Sequence, residues 1–212
     1  MPTPTLAALE PRKTPVQARA EATVGAIFEA TIQVLLSHGA DHLTTTRVAD
    51  RAGVSVGTLY QYFPNKGSLL FAVFEEHMER VSGEVETASQ MAHGKPLNEM
   101  IRQVVEAFVD AKMKRSDISV ALYRVSADVG GSAVLKRATQ RSRKAIEAML
   151  HTAPEVDIQP NPFAIDMMLA AISGVMRSAL ESGGSQSAVR KLKAHLVLLC
   201  QSYMAAALTR QP

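Results

Sequence analysis

The residues with the most specific chemistry lie between Leu43 and Lys66. Three consecutive hydroxyls, Thr44, Thr45 and Thr46, precede Arg47 and a short apolar run. At a helix N-terminus, hydroxyls, backbone N–H groups without helical partners and the positive dipole end together favour a phosphate. Ser55 can cap a following helix, and Gly57 removes a side chain where backbone meets backbone. Leu59 and Phe63, four residues apart, share an inward face. Thr58, Tyr60, Gln61 and Tyr62 are left outward, with donors and acceptors suited to base edges. Lys66 adds a point charge for the backbone. The chemistry indicated is recognition of a polyanion.

Two short helices must position these groups. Thr44 to Ala52 reads as the first, with Val48, Ala49 and Ala52 inward; Gly53, Val54 and Ser55 make a turn. Val56 to Phe63 reads as the second, ended by Pro64, which disfavours helical geometry at Phe63. Ala49 and Gly53 are small enough for a close crossing. That is helix-turn-helix geometry: the second helix enters the major groove and the first crosses the backbone.

The order Thr-Thr, Val-Ala, Ala-Gly-Val-Ser, Gly-Thr-Leu-Tyr, Tyr-Phe and Lys66, followed by Leu69 and Leu70, resembles the DNA-binding domain of the TetR family of bacterial transcriptional repressors. The resemblance is strong over about residues 20–75 and beyond that rests on helix count and length. It implies a phosphate contact at Thr45, with Thr46 and Arg47 at the groove's edge. Val56, Gly57, Thr58, Tyr60 and Gln61 would face the major groove, while Tyr62 and Lys66 would hold the backbone. Val56 stands where some relatives carry a long basic or polar side chain; it can still meet a thymine methyl.

The rest of the 212 residues reads as helix, about nine in all, so the fold class is all-α. Residues 1–13 form a Pro-rich, disordered arm, whose Arg12 and Lys13, with Arg19, could touch DNA. Thr14, Pro15 and Gln17 suit a helix start, and Val24, Ile27, Phe28, Thr31 and Leu35 make its apolar face up to Gly39. The domains follow as 14–65 for DNA binding (motif 44–63), 66–92 for a connecting helix, and 97–210 for effector binding and dimerisation.

Composition narrows the classes. At 47% hydrophobic and 20% charged, the chain is an ordinary globular one. The first 80 residues hold seven Lys/Arg and eight Asp/Glu, the rest sixteen and twelve, so bulk charge does not mark the DNA-binding end. No secretory signal is visible, and no stretch approaches the roughly 20 uninterrupted apolar residues of a membrane span. A reducing cytoplasm suits the lone Cys200, which sits in an apolar run. An all-helical enzyme, or an adaptor keeping the motif only as scaffold, is the alternative. The chain has no HExxH, no GxSxG, no Gly-rich phosphate loop and no His or Cys at metal spacing. No metal and no cofactor is expected. His77 reads as a core or interface residue, and Lys136, Arg137, Arg141, Arg143 and Lys144 as a solvated face.

Two further assignments concern the C-terminal part. Ala170, Ala171, Gly174 and Ser178 allow close approach of a partner helix, and Leu192, Leu196, Leu199 and Tyr203 form a stripe on the last helix. They read as a homodimer interface, as a palindromic double-stranded operator requires. Met100, Phe108, Met113, Leu122, Met149, Phe163, Met167 and Met168 could line a pocket for a largely apolar small-molecule effector. That such a pocket exists is implied by the resemblance.

Overall fold

The computed structural model describes residues 18–127, 129–155, 159–183 and 186–208. The expected arm, with Arg12 and Lys13, and the helix start at Thr14, Pro15 and Gln17 lie outside the described residues. Among those described, nine helices and no strand are present: α1 (Ala18–His38), α2 (Thr45–Ala52), α3 (Val56–Tyr62), α4 (Lys66–Met91), α5 (Leu97–Lys114), α6 (Ser116–Ser126), α7 (Gly131–Leu150), α8 (Pro162–Glu181) and α9 (Gln186–Leu208).

The chain forms two compact units, residues 1–78 with 117–135, and residues 79–116 with 136–212. Helix α4 contributes its first half to one and its remainder to the other. In the first unit α1 packs on α2 and α2 on α3. Ile27, Leu43, Val48, Ala49, Leu59 and Phe63 form its core, and the Phe28 and Phe63 rings lie 5.6 Å apart. Helix α6 joins this unit through Ser119, 3.1 Å from Nε2 of the buried His77, and through Tyr123, edge-on to Phe74. Gly131 makes the closest approach there. A Cβ at that position would sit 2.6 Å from the Ser126 carbonyl oxygen and 2.9 Å from a Phe74 ring carbon.

In the second unit α5 and α8 pack against α9. Pro96 offers α5 no side-chain cap, and the Glu155 carboxylate instead accepts from the Leu97 N–H at 2.8 Å. Lys193 donates to Asp110 at 2.7 Å, and the Gln201 amide to the Asn98 carbonyl at 2.8 Å, holding α9 along α5. On α7, Arg141 pairs with Glu86 and Arg143 with Asp166. Cys200 is buried, and burial pushes its thiol up to about 11, which keeps it protonated and unreactive.

Lys112 lies on the buried stripe of α5 with Phe108 and Val109, only 1% exposed, and burial pushes its ammonium down to about 7. Helices α1 and α8 are also long and apolar enough to cross a membrane by length and composition, with mean hydropathy 1.2 and 1.5. Neither is an uninterrupted apolar run: α1 carries Arg19, Glu21 and Glu29, and α8 carries Asp166, Arg177 and Glu181. In α1 the apolar excess serves packing: Ile27, Ala30, Val34 and Leu35 are buried, while Glu21 and Glu29 are exposed.

Two stability predictions follow from these contacts. Gly131→Ala must displace the Ser126 carbonyl or the Phe74 ring and should cost about 1–3 kcal/mol in denaturant unfolding. For Lys112, the unfolded chain keeps its proton up to the ordinary 10.5 while the folded chain releases it near 7. The unfolded state therefore binds more protons across that window, and stability rises with pH there. Relative to Lys112→Met, the wild type should gain stability between about pH 7 and pH 10. A difference that stays flat would contradict the burial of the charge.

Candidate nucleic-acid interface

The helix-turn-helix is built by its caps. Thr44, in extended geometry, accepts the Arg47 N–H at 3.2 Å and starts α2. Gly53 ends α2 at φ +66°, a left-handed conformation that favours glycine. Ser55 Oγ accepts the Thr58 N–H at 2.9 Å and starts α3, which stops where Phe63 turns extended before Pro64. Asn65 Oδ1 then accepts the Ser68 N–H at 2.8 Å, and Ser68 Oγ accepts the Asn65 N–H at 3.2 Å, a reciprocal cap for α4.

With Leu59 fully buried and Phe63 2% exposed, α3 has one orientation. Gly57, Tyr60 and Gln61 are exposed, and Val56, Thr58 and Tyr62 are half-buried beside them. The Thr45 hydroxyl meets the Tyr60 phenol at 3.0 Å, tying the start of α2 to the middle of α3. A hydroxyl so paired retains further hydrogen-bonding capacity. Thr46 is exposed on the first turn of α2. Arg47 is anchored by one guanidinium nitrogen to the His42 carbonyl at 2.6 Å, and Lys66 Nζ donates to the Ala40 carbonyl at 3.0 Å. Both cations are exposed and hold further donors for an anion.

Arg51 was not among the residues singled out from sequence. Its Nε donates to Gln33 at 2.6 Å, and with Arg47, Asp50 and His38 it lines a groove of about 380 Å³ between α1 and α2. The sequence signal was available, because Arg47 and Arg51 stand four apart on one helix face.

Two family models match the chain. One, for bacterial regulatory proteins of the tetR family, covers residues 27–73 and includes the whole motif. The other, a tetracyclin repressor-like C-terminal domain, covers residues 96–204, half of the chain. The chain belongs to the TetR family. A curated relative, the HTH-type transcriptional repressor KstR of Mycolicibacterium smegmatis, is 36% identical over 84 residues. That match spans 38% of this chain and 41% of the relative, so the chain covers less than half the relative's length.

Among solved structures, a TetR-family transcriptional regulator from Mesorhizobium loti superposes with a TM-score of 0.72 at 17% identity, covering 90% of this chain and 98% of that one. The TetR-like regulator LfrR from Mycobacterium smegmatis, solved in complex with proflavine, gives 0.56 at 20% identity over 92% and 100%. At these identities the likeness is one of fold.

Within the TetR C-terminal match the pocket residues separate. Met100, Phe108, Met149 and Met168 are buried in the second unit, and Met113 is half-buried. Leu122 is buried as well, but on α6 in the first unit. Phe163 and Met167 are 70% and 48% exposed, apart from the buried members of the set. Helix α8 is apolar on both faces: Ile165, Met168, Leu169, Ile172 and Met176 turn inward, so Phe163 and Met167 turn out with Ala170 and Gly174.

The interface residues separate likewise. Ala170, Gly174, Ser178 and Leu199 are exposed, and Ala171, Leu192 and Tyr203 are half-buried. Leu196 is 2% exposed and packs in the chain's own core. Its inward turn leaves Leu198, 60% exposed and missed from sequence, on the outer face. The alternation at 196, 198 and 199 is invisible to a stripe chosen by spacing alone.

Because Ser55 alone supplies the N-cap acceptor of α3, Ser55→Ala should lower stability by about 1 kcal/mol. Denaturant unfolding measures the loss, and an unchanged midpoint would show that the cap is dispensable.

Proposed function

We propose that this protein is a cytoplasmic, homodimeric transcriptional repressor that holds a palindromic double-stranded operator and is released by a small-molecule effector. The observation that carries the reading is the outward face of α3. Gly57, Thr58, Tyr60 and Gln61 project from a helix locked by Leu59 and Phe63, with Lys66 and Thr45 at its flanks. Thr58, Tyr60 and Gln61 read base edges, and Val56 offers an apolar contact to a thymine methyl. Thr44, Thr45, Thr46, Arg47, Ser55, Tyr62 and Lys66 fix register through phosphates.

Dimerisation is supported by the outer faces of α8 and α9. Phe163, Met167, Leu198 and Leu199 are exposed apolar side chains, with Ala170 and Gly174 giving close backbone access between them. A second copy covers them through a two-fold axis, which sets two recognition helices about 34–36 Å apart. The effector sits within residues 97–210, where Met100, Phe108, Met149 and Met168 offer flexible apolar walls. The proflavine held by LfrR supports an organic ligand in this fold.

Helix α4 starts at the flank residue Lys66 in the first unit and runs on to Met91 in the second, and so links the operator-binding part to the effector-binding part. An effector that binds the off-DNA arrangement more tightly, by about 1–3 kcal/mol, lowers operator affinity roughly 5–150-fold.

Footprinting on the duplex upstream of the protein's own coding sequence tests the reading. Two protected half-sites, about 10–10.5 base pairs apart or a multiple of that, are expected. Uniform cleavage at protein concentrations that bind random duplex would reject operator recognition. Leu198→Glu should convert the dimer to monomer in sedimentation, with loss of the paired footprint; a dimer unaffected by that charge would place the interface elsewhere.

A further inference from the structure

A second groove in the first unit, of about 510 Å³, lies between the first turns of α1 and the turn into α3. Arg19 and Thr23 form one wall; Ser55, Thr58 and Tyr62 form the other, with Gly53 at the base. Among the described residues no carboxylate lines it. Small-molecule pockets are mostly apolar with a few polar groups, whereas this groove is walled by hydroxyls and a guanidinium.

Counting donors identifies what it can hold. The Thr23 hydroxyl already donates to the Arg19 carbonyl at 2.9 Å and can only accept further bonds. Ser55 and Thr58 share one hydrogen bond at 2.8 Å, which leaves one of the two O–H groups to donate outward. The Tyr62 phenol supplies another donor and the exposed Arg19 guanidinium supplies the charge. Among the described residues no ion pair engages Arg19. Glu21, two positions along α1, lies on the far side of the helix. A donor-rich, singly cationic groove matches a phosphodiester, which offers only acceptors and one negative charge.

Its place matters too. Ser55, Thr58 and Tyr62 belong to the same short segment as Tyr60 and Gln61, so a strand running past the base-reading face passes this groove. We propose that the groove seats a backbone phosphate of the bound duplex, with Arg19 as the charge contact and Tyr62 as a hydroxyl donor. Helix α1 is thereby part of the DNA grip and not only the scaffold under α2 and α3. This inference rests on the DNA-binding reading above.

The test compares wild type, Arg19→Ala and Arg19→Lys for binding to a random-sequence duplex and to the protein's own upstream region across a salt series. Arg19 is exposed, so all three should fold alike by circular dichroism. Arg19→Ala should weaken both duplexes by the same factor and reduce the slope of log affinity against log salt by about 0.9. Its deficit should therefore shrink about 3–4-fold between roughly 50 and 200 mM salt. Arg19→Lys should keep the wild-type slope. If wild type binds and Arg19→Ala keeps its slope, the groove assignment is wrong and the DNA-binding reading stands. If wild type binds neither duplex, both fall together.

Discussion

A seven-residue helix has too few internal hydrogen bonds to hold itself together in water. Helix α3 therefore exists only because Ser55 caps it, Gly53 turns the chain into it, and Leu59 and Phe63 are buried beneath it. The direction in which Thr58, Tyr60 and Gln61 point is a by-product of that burial. Any change that loosened Leu59 or Phe63 would lose the orientation of the reading face before it lost the helix count. The bond between Thr45 and Tyr60 adds a polar tie across the turn, so the first helix of the motif also fixes the second.

The same economy shapes the electrostatics. The first 80 residues carry one more acidic than basic side chain, and the outward groups of the motif are instead hydroxyls and a few cations steadied by carbonyls. Arg47 and Lys66 each rest one donor on a loop carbonyl, which orders a long side chain before an anion arrives. Carbonyl anchoring leaves the positive charge uncompensated and available. A salt bridge in the same place would have neutralised it. The second unit shows the opposite logic, with Arg141 on Glu86 and Lys193 on Asp110 spending their charges on holding helices together.

Much of this was legible from residue order. Helix breaks at Gly39, Gly53, Gly94, Gly130 and Gly183, each at positive φ, coincide with the glycines that punctuate the apolar periodicity. Thr44, Ser55 and Asn65 announce helix starts because a short side-chain oxygen at the right offset is a local property. The faces of α8 and α9 were not legible, since both helices carry apolar residues on more than one face and spacing cannot say which side meets the chain's own core. Spacing alone therefore does not say that Phe163 and Met167 face outward and Leu196 inward. The Thr45 and Tyr60 contact joins residues fifteen apart through a crossing angle that no local pattern encodes. Lys112 did leave a signal, standing four after Phe108 and three after Val109 on the buried stripe.

Helix α4 begins in the unit that holds α3 and continues into the unit carrying the buried methionines Met100, Met149 and Met168 and the exposed apolar faces of α8 and α9. Base reading by α3 would be a choice among sequences, and selection from a pool of random duplexes measures that choice directly. Repeated rounds with the purified protein should enrich a two-fold-symmetric site, and Gln61→Ala should enrich a different base at one symmetric pair of positions. A pool that remains random at moderate salt, while still binding the protein, would contradict base reading by this helix.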